Sequence, residues 1–210
     1  MPPLCRTERA ALADLLEELG PDAPTLSGDW TTRDLAAHLV VRERRMDASP
    51  GVAVPWLAWH TRRVQAGAAR RPFDELVADV RTGPPSWSPF AVPSVDRLLN
   101  TTEFFVHHED VRRAQPGWAP RALPDRAQET LWRAVRGRAG VGFRRIDCGV
   151  VLTRPGGHSI VAKSGDPAAV LTGEPAELLL YIFGRKDHAR VELTGPKEAR
   201  RCLTDTALDV

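Results

Sequence analysis

Cysteine is scarce. Only Cys5, Cys148 and Cys202 occur in 210 residues. An odd number at such wide spacing excludes both a disulfide framework and a CxxC metal knuckle, and reduced, mostly buried thiols are expected. Lysine is equally scarce, although the chain is basic: 3 of the 29 basic residues, the rest being Arg. These arginines are interleaved with acids, so residues 1–140 carry 19 basic and 18 acidic side chains, and residues 141–210 carry 10 and 9. The formal net charge is +2, with no basic face or tail, which argues against a nucleic-acid partner. Long apolar runs are missing too. The strongest, LLLYIF at 178–183, is far too short to span a bilayer, so no membrane partner is expected. The opening MPPLCRTERA places charges where a signal peptide needs its apolar core, and a cytoplasmic location is the expectation. GxGxxG, P-loop, GxSxG and HExxH motifs are all absent, as are internal repeats.

What is present is the balance of a folded globular chain, 42% hydrophobic and 27% charged. The first 140 residues read as helices. Leu12, Leu15, Leu16 and Leu19 trace one buried helical face, which ends at Gly20-Pro21. Thr31 reads as an N-cap, with Asp34 in the acceptor position of a capping box, for a helix running to about 46 and broken at Pro50-Gly51. Further helices are expected over 56–69, 73–81 and 95–114. A Pro- and Gly-rich connection follows at 115–124, then another helix opened by Pro124 with Leu131, Trp132 and Val135 inward. Trp30, Trp56, Trp59, Trp87 and Trp132 read as core or junction residues. From about 144 the texture changes. Residues 148–153 and 159–163 read as a hairpin around Pro155-Gly156-Gly157, with further strands at 169–172 and 189–193 and helices at 174–183 and 196–203. The expected architecture is α+β: a helical bundle over 1–140 and a small α/β unit over 141–210.

The informative stretch is NTTEFFVHHEDVRRA at 100–114. Glu103 and His107 stand four apart, one turn above one another on a helix, with Leu99, Thr102 and Val106 on or beside that face. The pair therefore points inward, where an uncompensated carboxylate costs several kcal/mol; a divalent metal would compensate it. His38, between Leu35 and Leu39 on the apolar stripe of its own helix, is the natural third ligand. Two His and one carboxylate leave a fourth position open, the pattern of a catalytic zinc site. Asp110, three residues past His107, reaches the same face and can orient the imidazole, while Asp34 can reach His38 only in competition with its cap. Arg112 and Arg113 are candidates for holding an anionic cofactor, or else partners of Glu109, and His108 faces a neighbour or solvent. His60, His158 and His188 fall in no pattern. A hydrogen-bonded core network without metal accounts for the same residues.

WTTRDLAAHL at 30–39 and EFFVHHEDVRR at 103–113 resemble the two ligand helices of the mycothiol-dependent maleylpyruvate isomerase family, and GEPAELLLYIFGR at 173–185 resembles a helix of its small C-terminal domain. RERR at 42–45 and RTGPP at 81–85 are similar to an actinobacterial branch described as metal-binding proteins. The resemblance implies a DinB-like four-helix bundle followed by a small sterol-carrier-like α/β domain. It implies His38, Glu103 and His107 as ligands of zinc or another divalent metal. It implies mycothiol as a thiol cofactor, activated on the metal to add to a small electrophilic substrate, with isomerisation or thiol transfer as the outcome. Arg185 is the implied residue for steering an acidic substrate. Two alternatives stand beside this reading. One is a metal-dependent hydrolase with Asp110 or Glu109 as base. The other is a protein that only binds metal or a ligand.

Overall fold

The computed structural model describes residues 2–45, 58–92 and 100–208, with the backbone alone at 58–62 and 89. The chain divides into two compact units, 1–119 and 120–210, ahead of the boundary expected at residue 140. The reason is the long helix Asp125–Gly142, which packs on the helix Pro175–Ile182 and on the strand Ser159–Lys163.

The first unit is helical. Its described helices are α1 (Leu4–Leu19), α2 (Thr32–Arg44), α3 (Ala58–Ala68), α4 (Phe73–Thr82) and α5 (Thr101–Arg113). The leucine stripe of α1 forms the inner face as its spacing requires: Leu12 and Leu16 are wholly buried, and Gly20 ends the helix at φ 76°, where a side chain would be strained. α1 lies along α5 and α4, and α2 lies against α3 and α4. Leu35, Leu39, Leu76, Val80, Phe104 and Val111 fill the space between them. Each such side chain contributes about 1.5–3 kcal/mol by leaving water. α2 begins with the complete capping box. The Thr31 hydroxyl accepts from the Asp34 backbone N–H, and the Asp34 carboxylate accepts from the Thr31 N–H at 3.0 Å. A cap of this kind is worth about 1 kcal/mol, and here it also fixes where the helix carrying His38 starts.

The second unit is a mixed sheet with helices. Strands β1 (Gly149–Thr153), β2 (Ser159–Lys163), β3 (Ala168–Thr172) and β4 (Glu192–Thr194) lie in the order β2-β1-β3-β4. β1 runs antiparallel to β2, as the hairpin reading requires, and parallel to β3. That parallel register sets Val150 beside Ala169 and Leu152 beside Leu171, all four wholly buried on one face. Helices α6 (Asp125–Gly142), α7 (Pro175–Ile182) and α8 (Lys197–Asp205) complete the unit. α6 and α7 meet at Gly142, where a Cβ would stand 2.6 Å from Ile182 Cγ2, so only glycine permits this approach. Trp132 is buried as expected, but Trp87 is 64% exposed and is no core residue. Leu99, Trp56, Pro50 and Gly51, and the side chains of Trp59 and His60, lie outside the described residues.

Candidate metal centre

Among the described residues, His38, Glu103 and His107 form a group whose ligating atoms all lie within 4.8 Å of one another. His38 comes from the middle of α2, and Glu103 and His107 come from successive turns of α5. Their arrangement centres on one atom. His38 Nε2 is 3.1 Å and His107 Nε2 3.4 Å from Glu103 Oε1. A tetrahedral centre with bonds of about 2.1 Å separates its ligands by about 3.4 Å, so both spacings fit a zinc-sized ion with little movement. The side chains retain exposures of 21% (His38), 23% (Glu103) and 13% (His107), so the group is not wholly enclosed by protein.

The surroundings hold these groups in place. His107 turns its other nitrogen, Nδ1, to Asp110 Oδ2 at 3.0 Å; that same oxygen accepts the Ser27 hydroxyl at 2.9 Å, and Asp110 is wholly buried. Asp110 thereby directs Nε2 at the centre, the outer support that ligating histidines use. The Leu26 N–H bonds to the Asp110 carbonyl at 3.1 Å, which ties the loop before α2 to α5. Trp30 from that loop sits against His38, ring centroids 5.0 Å apart, and the two imidazoles meet edge to face at 5.3 Å. Asp34 is held by Thr31, so its carboxylate serves the cap.

The electrostatics follow from this packing. Burial would raise the Glu103 carboxyl, but hydrogen bonds from His107 and His38, with the charge of Arg42 beside them, hold it well below the usual carboxylate range. Burial likewise pushes the His107 imidazole down, and the carboxylates of Asp110 and Glu103 outweigh it, lifting it to about 9. Metal-free, the centre is therefore an ionised Glu103 holding a proton on His107, which a metal would displace. Replacing Asp110 with asparagine removes the charge that orients His107. Metal affinity is expected to fall by about 10–100-fold with the helical content unchanged, as read by chelator competition and circular dichroism.

The other expected residues stand elsewhere. His108 faces α1, where its Nδ1 meets Glu8 at 2.7 Å in a buried pair. Arg112 grips both oxygens of Glu109 at 3.0 and 3.1 Å, and Arg113 binds the same carboxylate at 2.5 Å while its guanidinium lies over the Trp118 ring. Arg185 belongs to the second unit, just past α7, and donates to the Phe183 carbonyl at 2.5 Å. A residue the sequence reading passed over is Arg42. Its Nε lies 3.3 Å from Glu103 Oε1. The signal was available: Arg42 follows His38 by one helical turn, as His107 follows Glu103.

No family model and no curated protein matches the sequence. Two solved structures match the fold. It is similar to that of the mycothiol-dependent maleylpyruvate isomerase. The crystal structure of that enzyme aligns with a TM-score of 0.60 over 91% of this chain and 90% of its own, at 16% identity, and a histidine-to-alanine mutant of it aligns equally well. Likeness at this identity establishes the α+β fold, a helical region followed by a small mixed sheet with helices, and not the chemistry.

Proposed function

We propose that this protein is a metal-dependent enzyme that activates a low-molecular-weight thiol, mycothiol by analogy with the isomerase of similar fold, for isomerisation or thiol transfer on a small electrophilic substrate. The observation that carries the reading is the three-ligand group of His38, Glu103 and His107, part-exposed, in a fold shared with a mycothiol-dependent isomerase. Two imidazoles and a carboxylate suit zinc and leave one position for an exchangeable ligand. A divalent cation held by these three residues would supply the positive charge that favours a thiolate over its thiol in that position. The chain supplies the rest. His38, Glu103 and His107 hold the ion, Asp110 keeps His107 turned toward it, and Trp30 packs against His38.

The hydrolytic alternative needs a carboxylate base beside the open position. Glu109 is committed to two arginines, and Asp110 lies wholly buried against His107 and Ser27, which leaves neither poised over water. Arg185 as a guide for an acidic substrate, and Arg112 as an anchor for the cofactor, belong to the same proposal. The test is calorimetry of mycothiol binding to the zinc-loaded protein near pH 7, in buffers of different ionisation enthalpy. Saturable binding with close to one proton released per thiol is the expected result. Zinc uptake without thiol binding, or binding with no proton release, overturns the reading.

A further inference from the structure

Arg42 is placed to do for Glu103 what Asp110 does for His107. Three donors converge on Glu103 Oε1: His38 Nε2, His107 Nε2 and Arg42 Nε, the last at 3.3 Å. A carboxylate oxygen has more than one acceptor site. Oε1 can therefore face a cation between the two imidazoles while keeping the Arg42 N–H on its other side. The guanidinium is anchored from behind. It donates to Asn100 Oδ1, and it lies over the Phe90 ring at 4.8 Å. Asn100, wholly buried at the start of α5, passes the connection inward through its Nδ2 to Glu43 Oε1 at 2.9 Å. Glu43 is buried and paired with Arg9 at 2.5 Å, and Arg9 in turn lies 4.0 Å over the Phe104 ring. Arg42 thus hangs on the core of the helical unit and is not a loose surface side chain.

Its charge has a consequence for what the open position accepts. Among the described residues, the charged groups in ion-pair contact with the ligating side chains are Glu103 itself, Asp110 on His107, and Arg42 on Glu103. With a dication held by neutral imidazoles, the two carboxylates alone would balance the metal. Arg42 leaves one positive charge over. It also shares the electron density of Oε1, which makes Glu103 a weaker donor to the ion. Both effects favour an anion in the fourth position over a neutral molecule such as water. We infer that Arg42 is the positioning residue that fixes Glu103 and sets the open coordination position of this centre to select an anionic ligand. The inference rests on the metal reading proposed above, and it is independent of which thiol, or whether any thiol, is the natural ligand.

The experiment uses the full chain loaded with cobalt(II), whose visible spectrum reports changes at the fourth position. Thiocyanate is titrated as the anion and imidazole as the neutral ligand. In the Arg42→Gln protein thiocyanate is expected to bind about tenfold more weakly, the effect of one unit charge lost at a few ångströms in a partly screened site, while imidazole affinity stays within about twofold. Arg42→Lys retains the charge and should keep the thiocyanate preference. Equal weakening of both ligands in Arg42→Gln, no weakening of either, or loss of the preference in Arg42→Lys as well overturns the inference while the metal reading stands. No cobalt uptake by the wild-type protein overturns the metal reading, and this inference with it.

Discussion

Replacing His38 with alanine is expected to strip the protein of metal while leaving it folded. Wild-type protein prepared without chelators should carry about one zinc per chain by elemental analysis, and the His38→Ala protein less than a tenth of that. The prediction turns on where each ligand sits. His38 keeps 21% exposure, and its ring nitrogen bonds only to Glu103 among the described contacts, so its removal opens the site without orphaning a buried charge. Glu103→Ala should lose metal as completely, and it should also destabilise the metal-free protein. That carboxylate is the common partner of Arg42 and of the His107 proton. Leaving both cations without it costs about 1–3 kcal/mol, the penalty for unpaired groups in a largely buried site. Chemical denaturation of the chelated proteins separates the two cases. His38→Ala should lie near wild type and Glu103→Ala should be clearly weaker. Full zinc occupancy in His38→Ala would mean that the three residues are a polar network of the core and not a ligand set.

The two helices that carry the candidate site were legible because each carries two independent periodic signals. The apolar stripe of α2 places His38 between Leu35 and Leu39, and the Thr31–Asp34 box marks where that helix begins. In α5 the spacing of Glu103, His107 and Asp110 put all three on one face, and the structure gathers them there. Strands β1 and β2 were equally clear, since β-branched residues flank an obligatory turn. What periodicity could not give was pairing across the fold. Nothing local to Arg112 says that Glu109 takes both it and Arg113, because a charged pair one turn apart reads the same whether it holds a partner or awaits a ligand. The Arg42–Asn100–Glu43–Arg9 chain links residues 9 to 100 through contacts separated by 34 to 58 positions, and no single-helix pattern encodes that. The division between residues 119 and 120 was not legible for a related reason. α6 is as amphipathic as the helices before it, and only its packing on α7 and β2 assigns it to the second unit.

Raising the pH should weaken the metal-free protein and strengthen the metal-loaded one relative to it. In the folded metal-free chain His107 holds its proton to about pH 9, against 6.5 for an ordinary histidine. A folded pKa above the unfolded one means that the proton stabilises the fold. Its contribution is complete below about pH 6.5 and disappears as the pH climbs to 9. At about 1.4 kcal/mol per pH unit, the loss is about 3.5 kcal/mol at most, or roughly 10–20 °C in Tm for a unit of this size. Glu103 acts in the opposite sense. Its folded pKa lies below the ordinary 4.5, so its contribution is present above that value and is lost on acidification through the folded pKa. The chelated protein should therefore be most stable between about pH 5 and 6.5 and decline on both sides. A metal at the centre requires neutral His107, so each unit of pH up to about 9 removes a competing proton and raises metal affinity by as much as about tenfold. Thermal melts of chelated and zinc-loaded protein between pH 6.5 and 9 should diverge steadily, the first falling and the gap between them widening. A chelated Tm that stays flat across that interval would show that His107 is already neutral in the fold. Asp110 and Glu103 would then not hold its proton, and the metal would have nothing to displace.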